Sequence, residues 1–328
     1  MTKIAVVGAG LSGLAIAWHL KKCDPKCSIT VYDPLIASER SSSLASLLYP
    51  FTGMRSKLNE DGFQAFNDSL ELLKLASKNI DVPFYRKIPL LKIPKDIREE
   101  KAFITASESF SDLHWHLDPV SKKYGLWNEN VIQVRSDKYL EALLQNCINL
   151  NIEYEKRLFI QEDEKNFDQI VYATGHLAFK ETHFTVLKGQ ALIIKWPSSD
   201  FNLNHCLIHE GLHLIPSFDK ESIYIGNTFE REFDNLEPNI EKAIELLWPL
   251  LEKILPTVTK DLIIEVKAGA RLTAPNRLPK IGRISSNKWI FTALGSKGLL
   301  YHSYLAKILS KAILFKSTDA IPKKYLYK

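Results

Sequence analysis

The chain opens with a short apolar run, residues 3–7, that ends directly in glycines, the pattern of a strand buried in a parallel sheet. Apolar positions then recur at helical spacing over 11–22 (Leu11, Leu14, Ala15, Ala17, Trp18, Leu20), and a second strand is expected at 28–32, closing at Asp33. A serine-rich stretch, 38–46, reads as a loop with polar donors, and a long helix follows over 59–79 with Leu70, Leu72, Leu73 and Leu75 as its apolar stripe. From 82 to 134 the pattern turns irregular, with prolines at 83, 89, 94 and 119, and marks the first piece of a second unit. Residues 136–150 predict an amphipathic helix with Ser136 and Asp137 as cap candidates. Strands are expected at 152–159 and 167–172, and strand-like alternation fills 184–232, with hairpin turns near 218–220, so that sheet reads as antiparallel. A helix over 240–255 broken by Pro249, a strand at 262–266, a loop at 269–282, a strand at 289–292 and a closing helix to about 314 complete the pattern.

The first glycines carry chemistry. Gly8, Gly10 and Gly13 form a GxGxxG that follows a strand, opens a helix and precedes an acid, Asp33, at the end of the next strand. In such a unit one glycine makes the tight turn, one admits a pyrophosphate to the backbone, and one lets helix and strand pack closely. The helix N-terminus favours the phosphate charge, and Asp33 is placed for a ribose hydroxyl. A dinucleotide therefore binds here. A second element is the strand end Val171-Tyr172-Ala173-Thr174-Gly175. Two more lie near the C-terminus: Gly269-Ala270-Arg271 running on to Leu278-Pro279-Lys280-Ile281-Gly282, and Ala293-Leu294-Gly295-Ser296-Lys297-Gly298-Leu299-Leu300 at the mouth of the last helix.

These four elements, in this order, resemble the D-amino-acid oxidase superfamily of FAD-dependent oxidoreductases. Within it, Leu48-Tyr49-Pro50 and Gly295–Gly298 look like the FAD domain of the bifunctional tRNA wobble-uridine enzymes, Tyr224–Phe229 resembles the family's substrate-domain strand, and the whole is closest in look to those enzymes and to glycine oxidases. The resemblance implies an α/β Rossmann-like FAD-binding domain with a three-layer parallel sheet, interleaved with an α+β substrate domain on an antiparallel sheet. It divides the chain into an FAD part (1–82, 131–182 and 262–328) and a substrate part (83–130 and 183–261). It assigns FAD contacts to Gly8, Gly10, Leu11, Ser12, Gly13, Asp33, Ser42, Ser43, Ser46, Leu47, Leu158, Ala173, Thr174, Gly175, Arg271, Gly295, Ser296, Lys297, Gly298 and Leu299. It assigns catalytic roles to Arg271, Lys297 and Tyr49. Arg271 would grip the substrate carboxylate, for which a planar guanidinium is suited, and Lys297 would stabilise the reduced flavin or assist its reaction with oxygen. The implied reaction oxidises a C–N bond next to a carboxylate, with hydride passing to flavin N5 and the imine hydrolysing in water.

Other features narrow the classes. Net charge is +5 (43 basic, 38 acidic residues), modest for a tRNA binder, so tRNA is an open partner rather than a required one, and no DNA partner is expected. The tRNA enzymes carry arginine where Lys297 stands. Cys23, Cys27, Cys147 and Cys206 make no CxxC, which argues for reduced cytosolic thiols and, with the single GxGxxG, against disulfide reductases. No apolar run reaches the ~18–20 residues of a membrane span, the expected compartment is the cytoplasm, and the pattern is silent on oligomeric state. His209 and His213, read on one strand, would share a face but lack a third ligand, so no metal is expected. Tyr301 and His302, beside the last glycine loop, are candidates for the pocket wall. Three readings stand: a flavin-dependent amine or amino-acid oxidase or dehydrogenase, an NAD-dependent dehydrogenase, and a catalytically silent flavoprotein scaffold.

Overall fold

The computed structural model describes residues 1–35, 46–53, 55–119, 121–177, 183–197 and 203–327. The first apolar run forms β1 (Lys3–Val7), and Ile4, Ala5 and Val6 are fully buried, as a strand covered on both faces requires. It lies at the centre of a six-stranded sheet with β2 (Ser28–Tyr32), β9 (Glu153–Glu155), β10 (Gln169–Tyr172), β16 (Lys280–Arg283) and β17 (Lys288–Thr292), in the order β16-β17-β10-β1-β2-β9. All neighbours in it are parallel except β16 and β17. Helices α1 (Leu11–Cys23), α2 (Gly62–Ala76), α4 (Ser136–Asn149) and α6 (Gly298–Phe315) pack together with this sheet, sharing a core that includes Leu14, Leu72, Leu143, Trp289 and Leu305.

The second sheet has eight strands: β15 (Ile263–Thr273), β11 (Thr185–Lys195), β14 (Ser222–Gly226), β13 (Leu212–Pro216), β12 (Cys206–His209), β5 (Leu90–Ile93), β7 (Tyr124–Asn128) and β6 (Leu113–Leu117), in that order. It is antiparallel but for the β12–β5 pair. Helix α5 (Ile240–Glu252) buries Ala243, Leu247, Trp248 and Leu251 in the core of this sheet. A small third sheet joins β3 (Ser46–Leu48), β8 (Ile132–Val134) and β4 (Tyr85–Lys87).

Several elements differ from the sequence pattern. The irregular stretch holds a 13-residue helix, α3 (Ile97–Ser109), capped by Asp96, whose carboxylate accepts the amides of Arg98 and Glu99 at 2.9 and 2.9 Å. Helix α5 continues through Pro249, its buried apolar face offsetting a cost of roughly 3 kcal/mol for an interior proline. Ser136 does not cap α4: the capping position falls on Arg135, and the Ser136 hydroxyl is buried without a partner among the described residues. Strand β15 runs to Thr273, so Arg271 stands on a strand of the eight-stranded sheet rather than in a loop of the nucleotide half. His209 and His213 lie on separate strands joined by a two-residue turn at Glu210 and Gly211, both with positive φ. Because His213 pairs with Ile208, it faces the side opposite to His209.

Candidate active site

Between the two large sheets lies a cavity of about 1510 Å³, beyond the ~300–1,000 Å³ of ordinary small-ligand sites. One end is built by the β1–α1 turn. Gly8 (φ +106°) brings the backbone so close to the β10 end that a Cβ would sit 2.5 Å from the Ala173 carbonyl oxygen, and a Cβ on Gly13 would sit 1.7 Å from that of Gly8. At Gly10 a Cβ would meet nothing within 4 Å, so the backbone there is open to the cavity. Helix α1 starts with no side-chain cap and no acid in its first turn, and α6 does the same. Gly298 at the start of α6 comes close to Leu11, so two positive helix ends converge on one wall. Asp33 accepts the amide of Ala9 at 2.6 Å and that of Leu35 at 2.8 Å, which fixes the carboxylate at the rim. The Thr174 hydroxyl lines the cavity and is buried with no partner among the described residues, a donor suited to a polar ligand. An ADP-containing cofactor fits this cradle.

Gly8, Gly10, Leu11, Ser12, Asp33, Ser46, Leu47, Tyr49, Leu158, Ala173, Thr174, Gly175, Arg271, Gly295, Ser296, Gly298 and Leu299 all line the cavity. Gly13 stands behind the wall, against Gly8. Lys297 does not line it; its Nζ donates to the Arg277 carbonyl at 3.3 Å, and burial lowers its pKa. Ser42 and Ser43 lie outside the described residues. Tyr301 and His302 are not wall residues: Tyr301 donates to the Glu60 carbonyl at 2.7 Å, and His302 Nε2 is 2.7 Å from the Tyr139 hydroxyl, deep in the helical core.

The other end rests on the eight-stranded sheet. The Arg271 guanidinium lies flat over Gly189, where a Cβ would be 3.2 Å from either terminal nitrogen, and 5.8 Å from the Phe229 ring. Among the described residues no carboxylate is within 4 Å of it, and burial lowers its pKa. Tyr224, nearby, donates to Asn227. His213 turns Nδ1 to the carbonyls of Gly211 and Gly226 at 3.0 and 3.2 Å, which assigns the proton to that nitrogen, and burial drops its pKa to about 4. Tyr49 is buried, its phenol pushed well above the usual range by burial. The sequence pattern did not single out Lys92, a lysine inside an apolar strand, which is also buried on this wall. A buried guanidinium that lines a cavity without a counter-charge among the described residues is a receptor for an anion. No group of three metal-ligating side chains occurs among the described residues, and no helix there is long and apolar enough to cross a membrane.

A Rossmann-type phosphate cradle facing a cationic pocket on a second sheet defines a two-part dinucleotide-dependent oxidoreductase. The family model for FAD-dependent oxidoreductases of the DAO type matches residues 3–312, and the chain belongs to that family. Its cofactor is FAD. It is 22% identical to the oxidoreductase YurR of Bacillus subtilis (strain 168), over 97% of this chain and 96% of that one. It is 25% identical to the tRNA 5-methylaminomethyl-2-thiouridine biosynthesis bifunctional protein MnmC of Idiomarina loihiensis, over 44% of this chain but only 25% of the relative's length. Among solved structures it resembles glycine oxidase from Geobacillus kaustophilus with a TM-score of 0.83 at 14% identity, covering 100% of this chain and 99% of the other, a likeness of fold.

Proposed function

We propose that the protein oxidises the C–N bond of an amino acid or secondary amine that carries a carboxylate on the adjacent carbon. The observation that carries this reading is Arg271, a guanidinium in the FAD-family cavity with no carboxylate partner among the described residues. The bound flavin supplies the hydride acceptor. Gly8, Gly10, Leu11, Ser12, Asp33 and Thr174 would hold the ADP half, and Gly295, Ser296, Gly298 and Leu299 with the α6 N-terminus would line the flavin end. Arg271 then fixes the substrate by two parallel hydrogen bonds, which orients the neighbouring carbon. Tyr49, Ile208 and Phe229 shield that carbon from water, and His213, neutral, offers Nε2 as an acceptor.

The test is anaerobic mixing of the FAD-loaded protein with glycine, sarcosine, iminodiacetate, L-proline and D-alanine, read as bleaching of the oxidised flavin. At least one is expected to bleach it. Arg271→Met is expected to raise the half-saturating concentration about 10- to 150-fold, the equivalent of ~1.5–3 kcal/mol for a charged hydrogen bond. Unchanged saturation in that variant would remove the anchor. A second reading, oxidation of carboxymethylaminomethyl-uridine in tRNA, rests on the partial similarity to MnmC. It uses the same chemistry on a larger amine, and bleaching by modified tRNA alone would favour it.

A further inference from the structure

Lys92 has a peculiar setting for a lysine. It stands on β5 in register with Ile208 and His213: Lys92 pairs with Ile208, and Ile208 pairs with His213. Directly paired positions share a face, so the three side chains form a row on the cavity side of the sheet. His213 on β13 lies between Arg271 on β15 and Lys92 on β5 in the strand order, and both cations act electrostatically on it. Lys92 is buried, and its Nζ donates to the carbonyls of Phe51 at 2.8 Å and Gly53 at 3.1 Å, with the Tyr49 ring 5.1 Å away. No carboxylate among the described residues lies within ion-pair distance of it.

That donor count suits a neutral amine. A charged ammonium has three N–H groups and no lone pair; a neutral amine has two N–H groups and one lone pair. Two carbonyls satisfy both donors of the neutral amine and leave one lone pair as its free valence. A buried ammonium would keep a third donor without a partner among the described residues, its charge met only by the two carbonyls and the face of the Tyr49 ring.

We infer that Lys92 is the general base of the site, taking the proton from the ammonium of the bound substrate before the C–N bond is oxidised. This rests on the reading under Proposed function. An amine carboxylate enters as a zwitterion, and its ammonium has no electron pair to form an imine. In the step, a substrate N–H bond breaks and a Lys92 Nζ–H bond forms. The freed pair on nitrogen becomes the second bond to carbon as hydride leaves that carbon for the flavin. The carbonyls of Phe51 and Gly53 then hold the resulting ammonium, and solvent removes its proton on product release.

The surroundings agree. Burial pushes Lys92 down to about 7, with Glu99 of α3 opposing the fall. The other titratable groups around it are Tyr49 and Cys206, both pushed up by burial, and His213, held neutral; β7 contributes no charged side chain. Glu99 itself is turned to the Lys95 amide at 3.1 Å. The amine is therefore neutral above about pH 7.

The experiment uses FAD-loaded protein, wild type, Lys92→Met and Lys92→Arg, reduced anaerobically by glycine, sarcosine, iminodiacetate and L-proline between pH 6 and 10. The wild-type bleaching rate should rise through pH about 7 and level off. Lys92→Met should slow it on the order of 100-fold at pH 7.5, with the rise displaced to alkaline pH where the free amine exists. Lys92→Arg keeps the cation and should not rescue. Rescue by arginine, or an unchanged pH profile in Lys92→Met, would overturn the base and make Lys92 a fixed charge for a second carboxylate. Acylation of Lys92 by acetic anhydride, followed by mass spectrometry, reads the amine without turnover. A midpoint near 7 is expected; one near the ordinary ~10.4 in a protein that is still bleached removes the base alone. Failure of every amine to bleach the flavin removes the function on which it depends.

Discussion

At the residue scale, the glycines of the first turn divide into two kinds. A side chain on Gly13 collides with the Gly8 carbonyl, whereas one on Gly10 meets only open cavity. Gly13→Val is therefore expected to cost more than about 3 kcal/mol and to depress soluble yield, since it forces a helix off its strand. Gly10→Val is expected to fold normally, with unchanged far-UV circular dichroism, yet lose FAD affinity by at least ~100-fold because it fills the phosphate path. Equal FAD retention in the two variants would contradict the cradle. These glycines were legible in the sequence because their spacing has one mechanical meaning. Lys92 was not: one cation in the apolar run Leu90-Leu91-Lys92-Ile93 looks like an edge residue until its neighbours are known. The role of Tyr301 and His302 was misread for a related reason, because nearness in sequence to a glycine loop does not fix the face of a helix.

At the scale of elements, the helical layer carries a pH liability. Burial lowers the pKa of His19 to about 3 and of His302 to about 4. Folded, they stay neutral below pH 6.5, while in the unfolded chain they take up protons from about pH 6.5 downward. The unfolded state then binds more protons, so stability is intact above pH 6.5 and is lost as pH falls toward 4. The loss is on the order of 2 kcal/mol for each at pH 5. Thermal unfolding of the FAD-loaded protein should show Tm dropping between pH 7 and 5, with a shallower slope in His302→Gln. A flat profile would contradict their buried neutral state. Strong periodicity made β1, β2 and α1 readable to within a residue, and the end of α6 as well. The α3 helix was hidden by its proline-rich flanks, although Asp96 and Glu99 form an acid spacing typical of a helix start. The length of β15 was hidden because Gly269 and Ala270 suggest a loop, while their pairing with Gly189 and Lys188 on β11 is a tertiary fact no local pattern carries.

At the scale of the whole molecule, function comes from two sheets meeting across one cavity. The six-stranded sheet supplies the nucleotide cradle, and the eight-stranded sheet supplies Arg271, His213 and Lys92. The crossing point explains why residues from the first and last hundred positions share a wall: α1 and α6 pack side by side, and their N-termini open on the same space. The parallel unit was legible from order and spacing alone. The floor of the substrate pocket was not, since the β12–β13 turn reverses the face on which His213 lies relative to His209.

The most direct test of the central claim is product analysis in a single anaerobic turnover. The yellow FAD-loaded protein would be mixed with whichever carboxylated amine bleaches it, and the quenched mixture analysed for carbonyl compound and released amine. One carbonyl and one amine or ammonia per flavin reduced, both on one molecule where the substrate is a cyclic amine, is the expected result, with no bleaching by NADH. A protein that purifies without flavin absorbance, or is reduced by NADH and by no amine, would contradict the account.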